Sequence, residues 1–260
     1  MKFSVWSPEG IGEVMPGDSL ADLILNYCPH LENGDIVCVT SKIVSKAEGR
    51  LVDAHDREDA ITQETVRIVA QRSRPNGPPL RIVENKLGLV MAAAGVDASN
   101  VPAGKVLLLP ENPDETARSI RSSIYERTGR NIAVLISDSA GRPWRDGLTE
   151  IAIGCAGILP LEDYRGQQDT FGQQLTVTAT ALADELVCAA ELVKGKTSGR
   201  PLAVITGKAE CVLPITVDGP GARSLVRLGE NDLFSMGTAE ATEYGQRMGN
   251  LPKSFIKKTT

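Results

Sequence analysis

Ile132-Ala133-Val134-Leu135-Ile136-Ser137-Asp138-Ser139-Ala140-Gly141-Arg142-Pro143-Trp144-Arg145-Asp146-Gly147 runs from an apolar segment straight into a polar, punctuated one. The apolar half reads as a buried strand ending at Ser137. Just upstream, Asn112-Pro113-Asp114-Glu115 is a helix start. Asn caps, Pro takes the first helical position, and the two acids face the positive end of the helix dipole. That helix continues through Ile120 and Ile124 until Gly129 stops it.

Further strands are predicted at Asp35–Thr40, Lys105–Leu109 and Leu202–Thr206, with a half-exposed one at Gln174–Thr178. Further helices are predicted at about Ser19–Tyr27, Arg57–Gln71 and Ala181–Val193, the last ending near Gly195. Arg74-Pro75-Asn76-Gly77-Pro78-Pro79 breaks both helix and strand and is expected to part a helical segment from a β-rich one. Lys196–Pro201 is a second break, and the tail Ile256–Thr260 is expected to fray. The elements follow no regular βαβ rhythm. The expected class is therefore α+β, with irregular mixed sheets and packed helices. A chain of 260 residues should form one unit over 1–260, as one large domain or two intimately packed subdomains.

Composition excludes several classes. The net charge is −5 and no Lys/Arg cluster occurs, which argues against nucleic acid as a partner. Aromatic content of 4% is too low for a base-stacking platform. Mean hydropathy is −0.10, and no apolar run approaches the roughly 18–20 residues of a membrane span. The cysteines Cys28, Cys38, Cys155, Cys188 and Cys211 are odd in number and lack CxxC spacing. They read as reduced, buried thiols of a cytoplasmic protein. His30 and His55 are the only histidines, which argues against a histidine-rich zinc site.

The usual nucleotide and hydrolase signatures are missing: no GxxxxGK[ST], no GxGxxG after a strand, no GxSxG. What remains is a set of polar segments. Asp138-Ser139 suits a hard divalent cation, and Arg142 and Arg145 could grip phosphate or carboxylate. The same stretch also reads as an Asx-type turn, with the arginines in solvent or stapling the turn to backbone carbonyls. Ser41-Lys42-Ile43-Val44-Ser45-Lys46 could hold a polyphosphate, or be an exposed lysine pair on a connecting segment. Asp97 and Asn100, in Ala94–Asn100, could be ligands or could satisfy their own turn. Asp163-Tyr164-Arg165-Gly166…Asp169…Gly172 reads as a mobile substrate loop or an ordinary surface loop.

Taken together, Thr40–Gly49, Ala94–Asn100, Leu109–Asp114, Ser137–Arg145, Asp163–Gly172 and Ala190–Lys196 resemble the coenzyme F420:L-glutamate ligase family, in family order over about residues 10 to 207. The resemblance implies a ligase-specific α+β fold without a P-loop and GTP-dependent amide formation through an acyl phosphate. The implied partners are L-glutamate and the phospholactyl side chain of a deazaflavin coenzyme precursor. It implies Mg2+ or Mn2+, with K+ a further candidate, and a homodimer. It assigns Asp97, Asp138 and Ser139 to divalent cations and Ser41, Lys42, Lys46 and Asn100 to GTP. The family's glycine-leucine-proline-glutamate turn corresponds to Gly10-Ile11-Gly12-Glu13, so Ile11, Gly12 and Glu13 should line the nucleotide, with Gly12 in place of proline. Lys194, Gly195 and Lys196 should approach it too. Some members carry glutamine where this chain has Lys196; an ammonium cannot ligate a metal, so no metal role passes to Lys196. Some actinobacterial relatives add a flavin-binding reductase domain, and none is expected in this chain. A non-catalytic GTP- or coenzyme-binding protein and an amide ligase with another acceptor remain the alternatives.

Overall fold

The computed structural model describes residues 2–54, 56–75 and 77–248. In chain order the elements are β1 (Ser4–Trp6), α1 (Leu20–Tyr27), β2 (Ile36–Thr40), α2 (Ser41–Ala47), β3 (Leu51–Asp53), α3 (Arg57–Glu64), β4 (Thr65–Arg72), β5 (Leu80–Asn85) and β6 (Val90–Ala92). They continue with β7 (Lys105–Leu107), α4 (Pro113–Thr128), β8 (Ala133–Arg142), β9 (Arg145–Ala156), β10 (Glu162–Asp163), β11 (Ala179–Thr180), α5 (Leu182–Lys194), β12 (Leu202–Thr206) and α6 (Thr238–Met248). This is an α+β protein with several small sheets. Its described residues divide into two compact units, those within 1–57 with 96–226 and those within 58–95 with 227–248. No helix among the described residues is long and apolar enough to cross a membrane.

The first unit is built on a five-stranded sheet in the order β1-β12-β2-β8-β9. Only β2 and β8 run parallel; the other neighbours are antiparallel. Ile36–Val39 and Ala133–Ile136 are fully buried at every position. A strand shows each face in alternation, so burial at every residue means cover on both faces. On one face α5 lays Ala183, Leu186, Val187 and Ala190 over Ile36, Cys38, Leu135 and Cys155. Helix α4 packs on β8 and β9, and α1 packs on α4. The expected cap of α4 is present: the Asn112 side chain accepts from the Glu115 amide and Gly129 closes the helix in the left-handed conformation. Ser19 caps α1 in the same way, accepting from the Asp22 amide at 3.2 Å.

Two buried polar side chains lock this unit. Asp114 accepts from the amides of Cys155 at 2.8 Å and Ala222 at 2.7 Å. Arg121 is completely buried, and its guanidinium donates to the carbonyls of Ile132, Leu213, Pro214 and Val217 and to Asp218 and Asn131. Two glycines admit these contacts. A Cβ on Gly157 would lie 2.3 Å from Arg121 Nε, and one on Gly154 would lie 2.5 Å from the backbone of Pro113.

Several expectations fail for identifiable reasons. The helix predicted over Arg57–Gln71 ends at Glu64, and Thr65–Arg72 is a strand. Thr65, Val66, Ile68 and Val69 are β-branched, and β5 offers them a partner. The proline-rich segment after Arg72 accordingly joins two strands of the three-stranded sheet β4-β5-β6 in the second unit. The strand expected to end at Ser137 continues to Arg142, because β9 pairs with it as far as Arg142↔Arg145. Gln174–Thr178 is not a strand: Gln174 makes one isolated bridge to Gln168, and only Ala179–Thr180 pair, with Glu162–Asp163. The segment at Lys105 is shorter than expected, stopping at Leu107. The tail 256–260 lies outside the described residues.

Replacing Arg121 with leucine would leave a ring of carbonyls without their donor, and should lower unfolding free energy by about 3–5 kcal/mol. Urea denaturation measures it. A loss under about 1 kcal/mol would show that the 213–218 segment stands without the guanidinium.

Candidate functional site

The parallel pairing of β2 and β8 sets Thr40 opposite Ser137. Helix α2 starts at the next residue, so Ser41 stands beside Asp138 and its hydroxyl donates to Asp138 Oδ1 at 2.7 Å. The segment read as a connection is thus helical, and Lys42 and Lys46 share one face of it. Lys42 Nζ reaches Asp97 Oδ2 at 2.7 Å and Ser99 Oγ at 2.9 Å. Lys46 Nζ is paired with Glu13. Asp97 also accepts from the Ser99 amide at 2.7 Å, the local turn that its sequence allowed. Burial alone would raise the Asp97 carboxyl, but Lys42 and Ser99 outweigh it and hold it below the usual carboxylate range.

Asp138 is in the opposite condition. Burial is the main cause that pushes it up to about 6; the Ser41 hydroxyl opposes the rise, and the charges of Glu150 and Asp97 add to it. Asp97 and Asp138, distant in sequence, therefore feel each other's field.

Neighbouring strand residues face opposite sides, and β8 uses both. Ser137 and Ser139 donate to Glu150 Oε2 and Oε1, each at 2.7 Å, across the β8–β9 ladder. Lys194, at the end of α5, is 1% exposed and meets Ser137 Oγ at 3.2 Å and Glu191 Oε2 at 3.4 Å. Lys196 Nζ meets Glu150 Oε1 at 2.7 Å. Burial would raise Glu150, but Lys196, Ser139, Lys194 and Ser137 together hold it low.

The expected site residues thus fall into groups. Ser41, Lys42, Asp97 and Asp138 come together on one side of β8, with Lys46 and Glu13 paired along α2. Asn100 lies three residues beyond Asp97 in a left-handed conformation, φ 52°, and is exposed. Ile11 and Gly12 lie in the irregular segment before Glu13, whose Gly10 carbonyl accepts from Tyr27 at 3.0 Å. Ser139, Lys194 and Lys196 gather round Glu150, while Gly195 closes α5, its amide on Glu191 O at 2.9 Å. Arg142 donates to the Asp146 and Gly147 carbonyls and staples the hairpin turn. Arg145 is exposed at the start of β9. The Asp163–Gly172 segment is exposed apart from a half-buried Tyr164, with Arg165 bonded to Asp163. Glu150 and Glu191 were missed by the sequence reading. The signal for Glu150 was an acid opening the apolar run Ile151–Ala156; that for Glu191 was its place one turn before Lys194.

Among the described residues no group of three or more His, Cys, Asp or Glu forms a ready cation cage. Asp97 and Asp138 still suit a hard cation of the Mg2+ kind, which takes one or two carboxylates and completes its shell with water and substrate oxygens. The raised Asp138 marks a place short of positive charge. The Ser139 hydroxyl does not fit as well, since it donates to Glu150 and accepts from Lys196 at 2.6 Å.

Fold and site define an α+β protein without a P-loop, with carboxylates set against lysines at the end of the parallel pair β2–β8. Residues 10–207 match the family F420-0:Gamma-glutamyl ligase, and the chain belongs to that family. It is similar to the coenzyme F420:L-glutamate ligase of Methanopyrus kandleri, 38% identical over 239 residues, covering 85% of this chain and 93% of the relative. It is also similar to proteins of that name from Methanocaldococcus jannaschii, 38% identical over 83% of this chain and 90% of the relative, and Methanothermobacter thermautotrophicus, 35% identical over 90% and 99%.

The Asp138 shift has a sign that can be checked. A carboxyl raised from 3.8 to about 6 favours the fold while protonated, below 3.8, and that contribution disappears as pH rises through 6. In chelator-treated protein Asp138→Asn should melt several degrees above the wild type at pH 8, from about 1–3 kcal/mol, with the gap closing toward pH 4. Coincident melting profiles would show that the carboxylate carries no such burden.

Proposed function

We propose that the chain is a GTP-dependent ligase that joins L-glutamate to the phospholactyl carboxylate of a coenzyme F420 precursor. The observation that carries this reading is the similarity, over most of both chains, to proteins named for that activity. The arrangement around α2 and β8 supports it chemically.

A carboxylate is a poor acyl donor because oxide is a poor leaving group. Transfer of the GTP γ-phosphoryl breaks its bond to the bridging oxygen, releases GDP and leaves an acyl phosphate on the acceptor. The glutamate amine then attacks the carbonyl carbon, phosphate departs, and the nitrogen gives its proton to solvent. Phosphoryl transfer asks mainly for positioning and charge neutralisation. Lys42 and Lys46, one turn apart on α2, place point charges for phosphate oxygens. Asp97 and Asp138 would hold a divalent cation, Mg2+ or Mn2+, which supplies charge neutralisation at the phosphates when bound. Ser41 fixes the Asp138 carboxylate by its hydrogen bond. Arg142, occupied with turn carbonyls, takes a structural part, which leaves Arg145 as the arginine for an anionic substrate.

Incubation with GTP, Mn2+, L-glutamate and the precursor, followed by mass spectrometry, should show gains of glutamyl units. Phosphate release without those gains would point to another acceptor; neither would leave a binding protein. Asp138→Asn should lower turnover by about 100-fold or more. Lys46→Ala should raise the KM for GTP by about tenfold, equivalent to ~1.4 kcal/mol. A change confined to the KM for glutamate would place Lys46 elsewhere. We propose further that the enzyme is a homodimer; the exposed Trp144 and Leu148 at the β8–β9 turn offer apolar surface that a second copy can cover. Light scattering should give about twice 27.7 kDa, and a mass near 27.7 kDa would overturn it.

A further inference from the structure

Lys196 lies just beyond Gly195, which closes α5, and its ammonium is clasped by oxygens. Nζ is 2.6 Å from Ser139 Oγ, 2.7 Å from Glu150 Oε1 and 2.8 Å from Glu191 Oε1. Two anionic oxygens and a hydroxyl converging on one point make a donor set that a metal cation would also accept.

We propose that Lys196 is a tethered cation: its ammonium fills a cation position on the Glu150 side of β8, and Ser139 is an ammonium ligand in this chain and not a divalent-metal ligand. Three observations agree. The Ser139 hydroxyl gives its proton to Glu150 and offers its oxygen to Lys196, so a metal there would have to expel the ammonium. The carboxylates of Glu150 and Glu191 are matched by the ammoniums of Lys194 and Lys196, so this cluster has no excess negative charge to attract another ion. Ser139 turns toward Glu150 while its neighbour Asp138 turns toward Ser41, so the two do not present a joint pair of ligands. The Lys196 side chain is 53% exposed, so an ion from solvent can reach the position once the ammonium is removed.

The inference rests on the ammonium's contacts and not on the ligase reading, so either can fail alone. The test titrates Mn2+ alone into the chelator-treated full chain, counting bound ions by the electron paramagnetic resonance of free Mn2+ and following the melting temperature. Lys196→Gln should bind one more Mn2+ per chain than the wild type, and Mn2+ should raise its melting temperature more than it raises the wild type's. Ser139→Ala should keep the wild-type count. A Lys196→Gln protein with the wild-type count overturns the proposal, and so does a Ser139→Ala protein that loses one ion. Should Lys196→Gln not fold, the Ser139→Ala count alone decides: unchanged supports the tethered ammonium, reduced by one removes it.

Discussion

The parallel pairing of Ile36–Thr40 with Ala133–Ser137 is the constraint on which the site depends. Both strands are buried on both faces, so their register is fixed by the core and not by the polar residues at their ends. Because both strands point the same way, their carboxyl ends finish in the same row. One chain turns there into a helix carrying lysines. The other continues as an extended ladder carrying Asp138 and Ser139, and β9 returns along it with Glu150. A slip of one residue in that pairing would turn Asp138 to the opposite face of the sheet and part it from Ser41.

The two sides of β8 have unlike electrostatics. Around Glu150 each carboxylate has an ammonium, and the carboxyl stays well ionised despite burial. Around Asp138 burial and two neighbouring carboxylates act in the same direction, opposed by the Ser41 hydroxyl and the Ser139 amide. A site arranged this way keeps its demand for positive charge in one corner. That corner adjoins Lys42, whose ammonium is paired with Asp97; in the proposed reaction it is where the phosphates and a divalent cation would meet. The neutralised side then serves as the rigid wall against which the charged side is held.

Local signals were legible and partner-dependent ones were not. The caps of α4 and the closure of α5 at Gly195 rest on residues within a turn of each other, and the sequence shows them directly. Thr65–Arg72 follows a helix start without a breaker, and only β5 turns it into a strand. Likewise Asp138–Arg142 looks like a turn until β9 pairs with it. In the site, Lys42, Asp97 and Asp138 stand out because they are polar residues beside apolar runs or in turns. Glu150 and Glu191 gain their meaning only from Ser139 and Lys196, which reach them from other strands and helices. That is also why Ser139 read as a companion of Asp138: adjacency in sequence hides the alternation of a strand that was not expected to reach so far.

Gly154 gives the assembly its dimension. Where any Cβ would meet the Pro113 backbone, the first turn of α4 rests directly on β9 without a side chain as spacer. Side chains under a helix can exchange volume by changing rotamer; a main-chain contact cannot be shimmed in that way. The height of α4 above the sheet is therefore a property of the backbone, secured by the Asp114 bond to the Cys155 amide. Drift among the core residues of α4 will alter how the helix is filled in beneath, but it has little means of tilting the strand that carries Glu150 four residues earlier. The Glu150 end of β9 inherits its position from a glycine.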